Sequence, residues 1–319
     1  MGRWHAAAVR YAGQQVAMVF DADVARASNL ARQSGSAVAR TLDEAISHAD
    51  VVHVCTPLDT HVDLATQALG ADRSVICEKP IALEVAPVRA LCELAAIRKR
   101  LIVPTHQFVL QRGVQELLDV LPSLGAVLHI DTTAATAGAS GRDATAAESV
   151  ALEVLPHPLS LVERIVAGTV AEMQWAVANT PRGEIRASAS TGGCSVTLLV
   201  SCAARPPVNT LRVVCARGTA MVDLFHGFVV IDTGRATRWQ KIGQPFRSSA
   251  AQFRAATGNL VHRAMVRESA YPGLRELIRR TYDSVATGAP APISVPETLA
   301  VTSALEQIRA RRTEAWPAL

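Results

Sequence analysis

The sequence predicts an α/β chain of two domains: a parallel-sheet domain over residues 1–115, and an α+β domain over residues 116–319 built on a large, mostly antiparallel open sheet. Three observations carry this. From Val16 to about Val103 short apolar runs alternate with helical patterns, the texture of βαβ units. After Gly125 the runs become strand-like alternations joined by turns such as Thr191-Gly192-Gly193 and Ala216-Arg217-Gly218, as in antiparallel strands. A length of 319 residues also suffices for two separate cores, since domains usually take ~100 to 200 residues.

The parallel strands are expected at Gln15–Phe20, Asp50–Cys55, Ser74–Glu78 and Leu101–Pro104. Between them, a helix over Asp23–Ser34 closes on Gly35, a residue that reaches the left-handed region without strain, and Thr41-Leu42-Asp43-Glu44 reads as a capping box opening the next helix. The domain boundary falls between residues 104 and 125. The antiparallel strands are expected at Ala126–Thr132, Met173–Ala178, Ile185–Ala189, Val196–Cys202, Leu211–Cys215 and Phe228–Asp232, with one helix, Glu148–Val166, early among them and others from Ala250 onward. Tyr271–Arg312 reads as two helices parted at Gly288-Ala289-Pro290-Ala291-Pro292, packing back across the domains.

Composition narrows the function. Hydrophobic residues make up 49% and charged residues 19%, with no apolar run of eighteen and no charged-then-apolar leader, so the expectation is a soluble cytoplasmic protein without a membrane partner. The six cysteines form no C-x-x-C pair and sit mostly in apolar runs, which predicts reduced, buried thiols and no metal site. The net charge of +4 is scattered, and aromatic residues are 4% of the chain, so neither a phosphate-tracking stripe nor a stacking platform for nucleic acid is present in the sequence.

The motifs point to chemistry at the ends of strands. Cys55-Thr56-Pro57 is followed by Leu58-Asp59-Thr60-His61, and Glu78-Lys79-Pro80 closes the next strand; both stand at C-terminal strand ends, where open α/β sheets bind ligands. Leu152-Glu153-Val154-Leu155-Pro156-His157 spaces a carboxylate and an imidazole four residues apart, one helical face, and Gly218-Thr219-Ala220-Met221-Val222-Asp223 is a turn followed by a strand. Over nearly the whole chain these motifs resemble the glucose-fructose oxidoreductase and inositol dehydrogenase (Gfo/Idh/MocA) family. The resemblance implies a Rossmann-like first domain, with Thr56, Pro57, His61 and Glu78 beside a nicotinamide; of these His61 mainly holds its turn and Glu78 anchors its own loop. It also implies that Lys79 and His157 manage the proton of a reacting hydroxyl, while Glu153, where the family has aspartate, orients His157 or binds a substrate hydroxyl. Pro156 stands where the family has glycine. Asp21, at the end of the second family strand, either hydrogen-bonds the adenosine ribose, which favours NAD over NADP, or is a turn aspartate before Asp23.

At the N-terminus the resemblance stops short. Met1-Gly2-Arg3-Trp4-His5-Ala6 matches the family only from about its third glycine, so the first strand and most of the glycine-rich turn have no counterpart. That strand is central in the usual order. The expectation is that the second strand shifts to pair with the fourth, that another segment or subunit fills the slot, or that translation starts earlier. The family implies an NAD(P)-dependent oxidoreductase, with NAD favoured over NADP, acting on a sugar, cyclitol or related hydroxy/keto metabolite and assembled as a homodimer or homotetramer through the second-domain sheet. The alternatives are a descendant without cofactor doing non-redox acid-base chemistry in secondary metabolism, and a non-catalytic partner.

Overall fold

The computed structural model describes residues 1–233, 238–268 and 270–315. The chain forms two compact units, one of Met1–His106 with Leu274–Thr302, the other of Gln107–Gly273 with the chain from Ser303.

The first unit runs α1 (Gly2–Tyr11), β1 (Met18–Val19), α2 (Val24–Ser34), β2 (Ala37–Val38), α3 (Leu42–Ser47), β3 (Val51–Val54), α4 (His61–Gly70), β4 (Ser74–Cys77), α5 (Val85–Ile97) and β5 (Ile102–Pro104). Local chemistry sets the helix ends. The Asp23 carboxylate accepts the N–H groups of Ala25 and Arg26 to open α2, and Gly35 closes it at φ 71°. Thr41 accepts the Glu44 N–H, and the Glu44 carboxylate reaches back to the N–H of Arg40, one residue before the cap that a capping box would bond.

All pairing in this unit is parallel, but it falls into two sheets, β1–β2 and β3–β4–β5. The expected strand Gln15–Phe20 shrinks to Met18–Val19, and the second strand does not move over to the fourth: β1 pairs only with β2 among the described residues. Instead α1 packs on α2 and on the helix Leu274–Thr287. β4 lies at the centre of its sheet with every residue buried, and its core side joins Leu69, Val75, Val88, Leu91 and Ile102 in one cluster. Each such aliphatic side chain contributes roughly 1.5–3 kcal/mol by leaving water.

The second unit runs α6 (Arg112–Leu124), β6 (Val127–Ala135), α7 (Ala144–Val154), α8 (Pro156–Ile165), β7 (Ala176–Val177), β8 (Glu184–Thr191), β9 (Cys194–Ser201), β10 (Val208–Cys215), β11 (Gly218–Asp223), β12 (Phe228–Thr233) and α9 (Arg238–Met265). Its seven-stranded sheet has the order β12-β11-β10-β6-β9-β8-β7, antiparallel except where β6 meets β9. Alternation sorts its faces: Cys194, Val196, Leu198 and Val200 of β9 are buried, whereas Ser195, Thr197, Leu199 and Ser201 lie on the more open side. α6 lies so close to β12 that a Cβ on Gly113 would come within 2.6 Å of the Phe228 carbonyl carbon.

Two predicted elements change here. The helix expected over Glu148–Val166 is two helices, α7 and α8, because Pro156 has no N–H to continue the ladder. The helical stretch expected from Ala250 onward begins earlier, since α9 starts at Arg238. From Leu274 the chain returns to the first unit with α10 (Leu274–Thr287) and the start of α11 (Val295–Ala315), the expected helix pair. No helix among the described residues is long and apolar enough to cross a membrane.

Candidate active site

In the first unit the C-terminal ends of β3 and β4 carry two turns, Cys55–His61 and Glu78–Pro80, and His61 ties them. Its ring nitrogens lie 2.9 Å from the carbonyl oxygens of Thr56 and Pro80. Thr60 tightens the first turn, its hydroxyl 2.7 Å from both the Thr56 hydroxyl and the Pro57 carbonyl. Thr56, Pro57, His61, Glu78 and Lys79 are thus brought together by two adjacent parallel strands, Val51–Val54 and Ser74–Cys77, held in register.

Glu78 is buried and fully engaged. One carboxylate oxygen lies 2.9 Å from His5 Nε2, and the other accepts the Thr105 hydroxyl at 3.0 Å. Burial alone would raise its pKa, but His5, Lys79 and Thr105 together bring it below the ordinary value, so Glu78 is a carboxylate. Lys79 next to it is half-buried, and its peptide bond to Pro80 is cis. The second nitrogen of His5, Nδ1, faces Nδ1 of His53 at 2.9 Å, and His53 Nε2 lies 2.9 Å from the Tyr282 hydroxyl on α10. Burial, with the neighbouring His5 charge, holds His53 well below its ordinary pKa. For His5 burial is again the largest effect and would lower the pKa, yet Cys55 and Glu78 together raise it to about 10.

Asp21 is exposed just after β1, and one of its carboxylate oxygens accepts the Asp23 N–H at 2.9 Å, the turn role; the exposed carboxylate is also the chemistry a ribose diol requires.

Glu153 and His157 belong to the second unit. Glu153 is half-buried near the end of α7, and His157 is buried at the start of α8. Leu155 between the two helices keeps helical dihedrals, φ −56° and ψ −31°, so the residues stay one turn apart despite the break at Pro156. The His157 ring stacks on Phe108 with centroids 4.2 Å apart and planes at 18°.

The sequence did not point to His53, Thr105, Phe108 or Tyr282 as neighbours of these residues. His5 was visible in Gly2-Arg3-Trp4-His5, but its partners lie 48 and 73 positions away, beyond any local signal.

Residues 1–106 match the oxidoreductase family with the NAD-binding Rossmann fold, GFO/IDH/MocA. Inositol 2-dehydrogenase of Rhizobium meliloti (strain 1021) is 39% identical over 102 residues, 31% of each chain, so this chain matches about a third of that relative's length. Two solved structures share the fold throughout. UDP-N-acetylglucosamine 3-dehydrogenase GnnA from Acidithiobacillus ferrooxidans has TM-score 0.78 at 19% identity, covering 99% of this chain and 95% of that one. Levoglucosan dehydrogenase, in complex with NADH and levoglucosan, has TM-score 0.77 at 13% identity over the same shares.

Proposed function

We propose that this chain, whose first 106 residues are a domain of the Gfo/Idh/MocA oxidoreductase family, interconverts a hydroxyl and a carbonyl on a sugar, cyclitol or related small molecule. The observation that carries the reading is Lys79 at the end of β4, on a turn stapled by His61 to that of β3 and preceded by the buried carboxylate Glu78. The matched relative is an inositol dehydrogenase, and the two structural neighbours act on a UDP-sugar and on levoglucosan by their names.

A nicotinamide cofactor, when bound, supplies the hydride acceptor or donor. Thr56 and Pro57 would hold it at the strand ends and Asp21 would take the ribose hydroxyls, a choice that favours NAD over NADP because a 2′-phosphate would meet that carboxylate. The Lys79 ammonium stabilises negative charge as the hydroxyl loses its proton. His157 exchanges that proton, and Glu153 one turn earlier orients the ring or binds a neighbouring substrate hydroxyl. The open face of the seven-stranded sheet, with Leu199 and Met221 among polar residues, pairs two copies of the chain.

Calorimetric titration of NAD, NADH, NADP and NADPH, followed by turnover assays with myo-inositol, levoglucosan and UDP-N-acetylglucosamine, tests the reading. Micromolar binding of NAD or NADH and turnover that drops ~10²–10³-fold in Lys79→Ala would support it. A folded protein that binds none of the four at millimolar concentration would sink it. That result would favour acid-base chemistry without a cofactor.

A further inference from the structure

We propose that His5 is a positioning residue for Lys79: its ring, set between Glu78 and His53, fixes and neutralises the Glu78 carboxylate and so sets how strongly that negative charge holds the proton on Lys79. The proposal rests on Lys79 as the reacting group.

Two proton assignments fit these distances. The Nδ1 atoms of His5 and His53, 2.9 Å apart, need one proton between them. If the Tyr282 hydroxyl, 2.9 Å away, donates to His53 Nε2, His53 supplies that proton and His5 is neutral. If a neutral His53 instead donates from Nε2 to the Tyr282 oxygen, His5 supplies it; His5 Nε2 also faces a carboxylate oxygen at 2.9 Å, so the ring then donates from both nitrogens and is an imidazolium. We take the second assignment, which sets a buried cation against the buried Glu78 carboxylate and agrees with the raised pKa of His5. Tyr282, raised above its ordinary value by burial and Asp50, remains a phenol that can accept.

Charge bookkeeping follows from the groups around this centre. From β3 come Cys55 and His53, from β4 Cys77, Glu78 and Lys79, from the end of β5 Thr105, and from α10 Tyr282. Burial pushes the Cys77 thiol up and keeps it neutral. Glu78 therefore faces two cations, His5 and Lys79. With His5 charged, the carboxylate is already compensated and Lys79 can release its proton more readily. With His5 removed, Lys79 becomes the main counter-charge of a buried anion, and its pKa rises.

The chain has three lysines, Lys79, Lys99 and Lys241, which makes Lys79 chemically addressable. Competitive acetylation with acetic anhydride from pH 7 to 11, read by mass spectrometry of each lysine peptide with exposed Lys99 as internal reference, gives its ionisation directly. In His5→Gln, labelling of Lys79 at pH 8 should fall about tenfold, the effect of a one-unit upward shift. Glu78→Gln should label faster than wild type, and adding it to His5→Gln should abolish the slowing. A merely structural His5 would loosen the turn on removal and speed labelling, so unchanged or faster labelling of Lys79 in His5→Gln overturns the proposal. Should that variant not fold, imidazole NMR of the wild type decides. His5 signals that stay in the doubly protonated form beyond pH 8 support it, and titration below pH 7 overturns it. None of these readouts needs a cofactor, so failed nicotinamide binding would remove the dehydrogenase reading and leave this result standing.

Discussion

The first unit holds two parallel sheets that share a chain direction and little else. In β3–β4–β5 the central strand is buried at all four positions, the turns that leave β3 and β4 are joined through His61, and the second turn carries a buried carboxylate bonded to His5 and Thr105. In β1–β2 each strand has two residues, half-exposed in β1 and exposed in β2. A two-stranded sheet of that size has little stability of its own and leans on the helices around it. Lys79, proposed to stabilise the reacting oxygen, stands at the end of the first sheet, and Asp21, proposed for the adenosine ribose, stands beside the second, so placement is tight around the lysine and looser where the cofactor's far end would rest.

Substitutions can break or sharpen this contrast. The largest effect is expected at Glu78: Glu78→Ala leaves His5 as a buried charge without its carboxylate and should destabilise the protein by about 3–5 kcal/mol in urea unfolding. Ile76→Ala, a fully buried position on β4, should cost about 3 kcal/mol, within the usual range for such a truncation. A smaller signal lies in pH. Because the folded-state pKa of His5 is raised from 6.5 to about 10, its contribution is complete below pH 6.5 and is lost as pH climbs toward 10, whereas Glu78, whose pKa is lowered from 4.5, contributes above that value and loses its share in acid. Thermal melts should therefore decline on the alkaline side in wild type and flatten there in His5→Gln. The smallest effect belongs to β1, where Val19→Ala should cost under about 1 kcal/mol. A loss there as large as at Ile76 would erase the distinction between the sheets, and hydrogen exchange much faster at Val19 than at Ile76 would strengthen it.

Much of the fold was legible because its causes are local. Asp23, Gly35 and Thr41 mark helix ends through bonds to residues two to four positions away, and strands β3, β4 and β5 stand out as apolar runs between them. Partner choice is not local, so the sequence could not tell that β1 would stop at β2 and leave β3 unpaired on that side among the described residues. Pro156 was in plain view, but four-residue spacing alone suggested one helix over Glu153 and His157 where there are two. The turns at Thr56, Pro57, His61, Glu78 and Lys79 were legible as motifs. The charge pairing behind them was not, since His5, His53, Glu78 and Tyr282 come from α1, β3, β4 and α10.

Tyr282 gives this arrangement a history within each molecule. A ribosome that has made the first 106 residues has delivered His5, His53, Glu78 and Lys79, but the helix that closes their bonded chain is 168 codons further on, at residue 274. Until that stretch emerges, His53 lacks one of its two ring partners, Tyr282, so the first unit can be completed only after the second has been synthesised. Residues 1–106 are thus translated ahead of the second unit and completed after it.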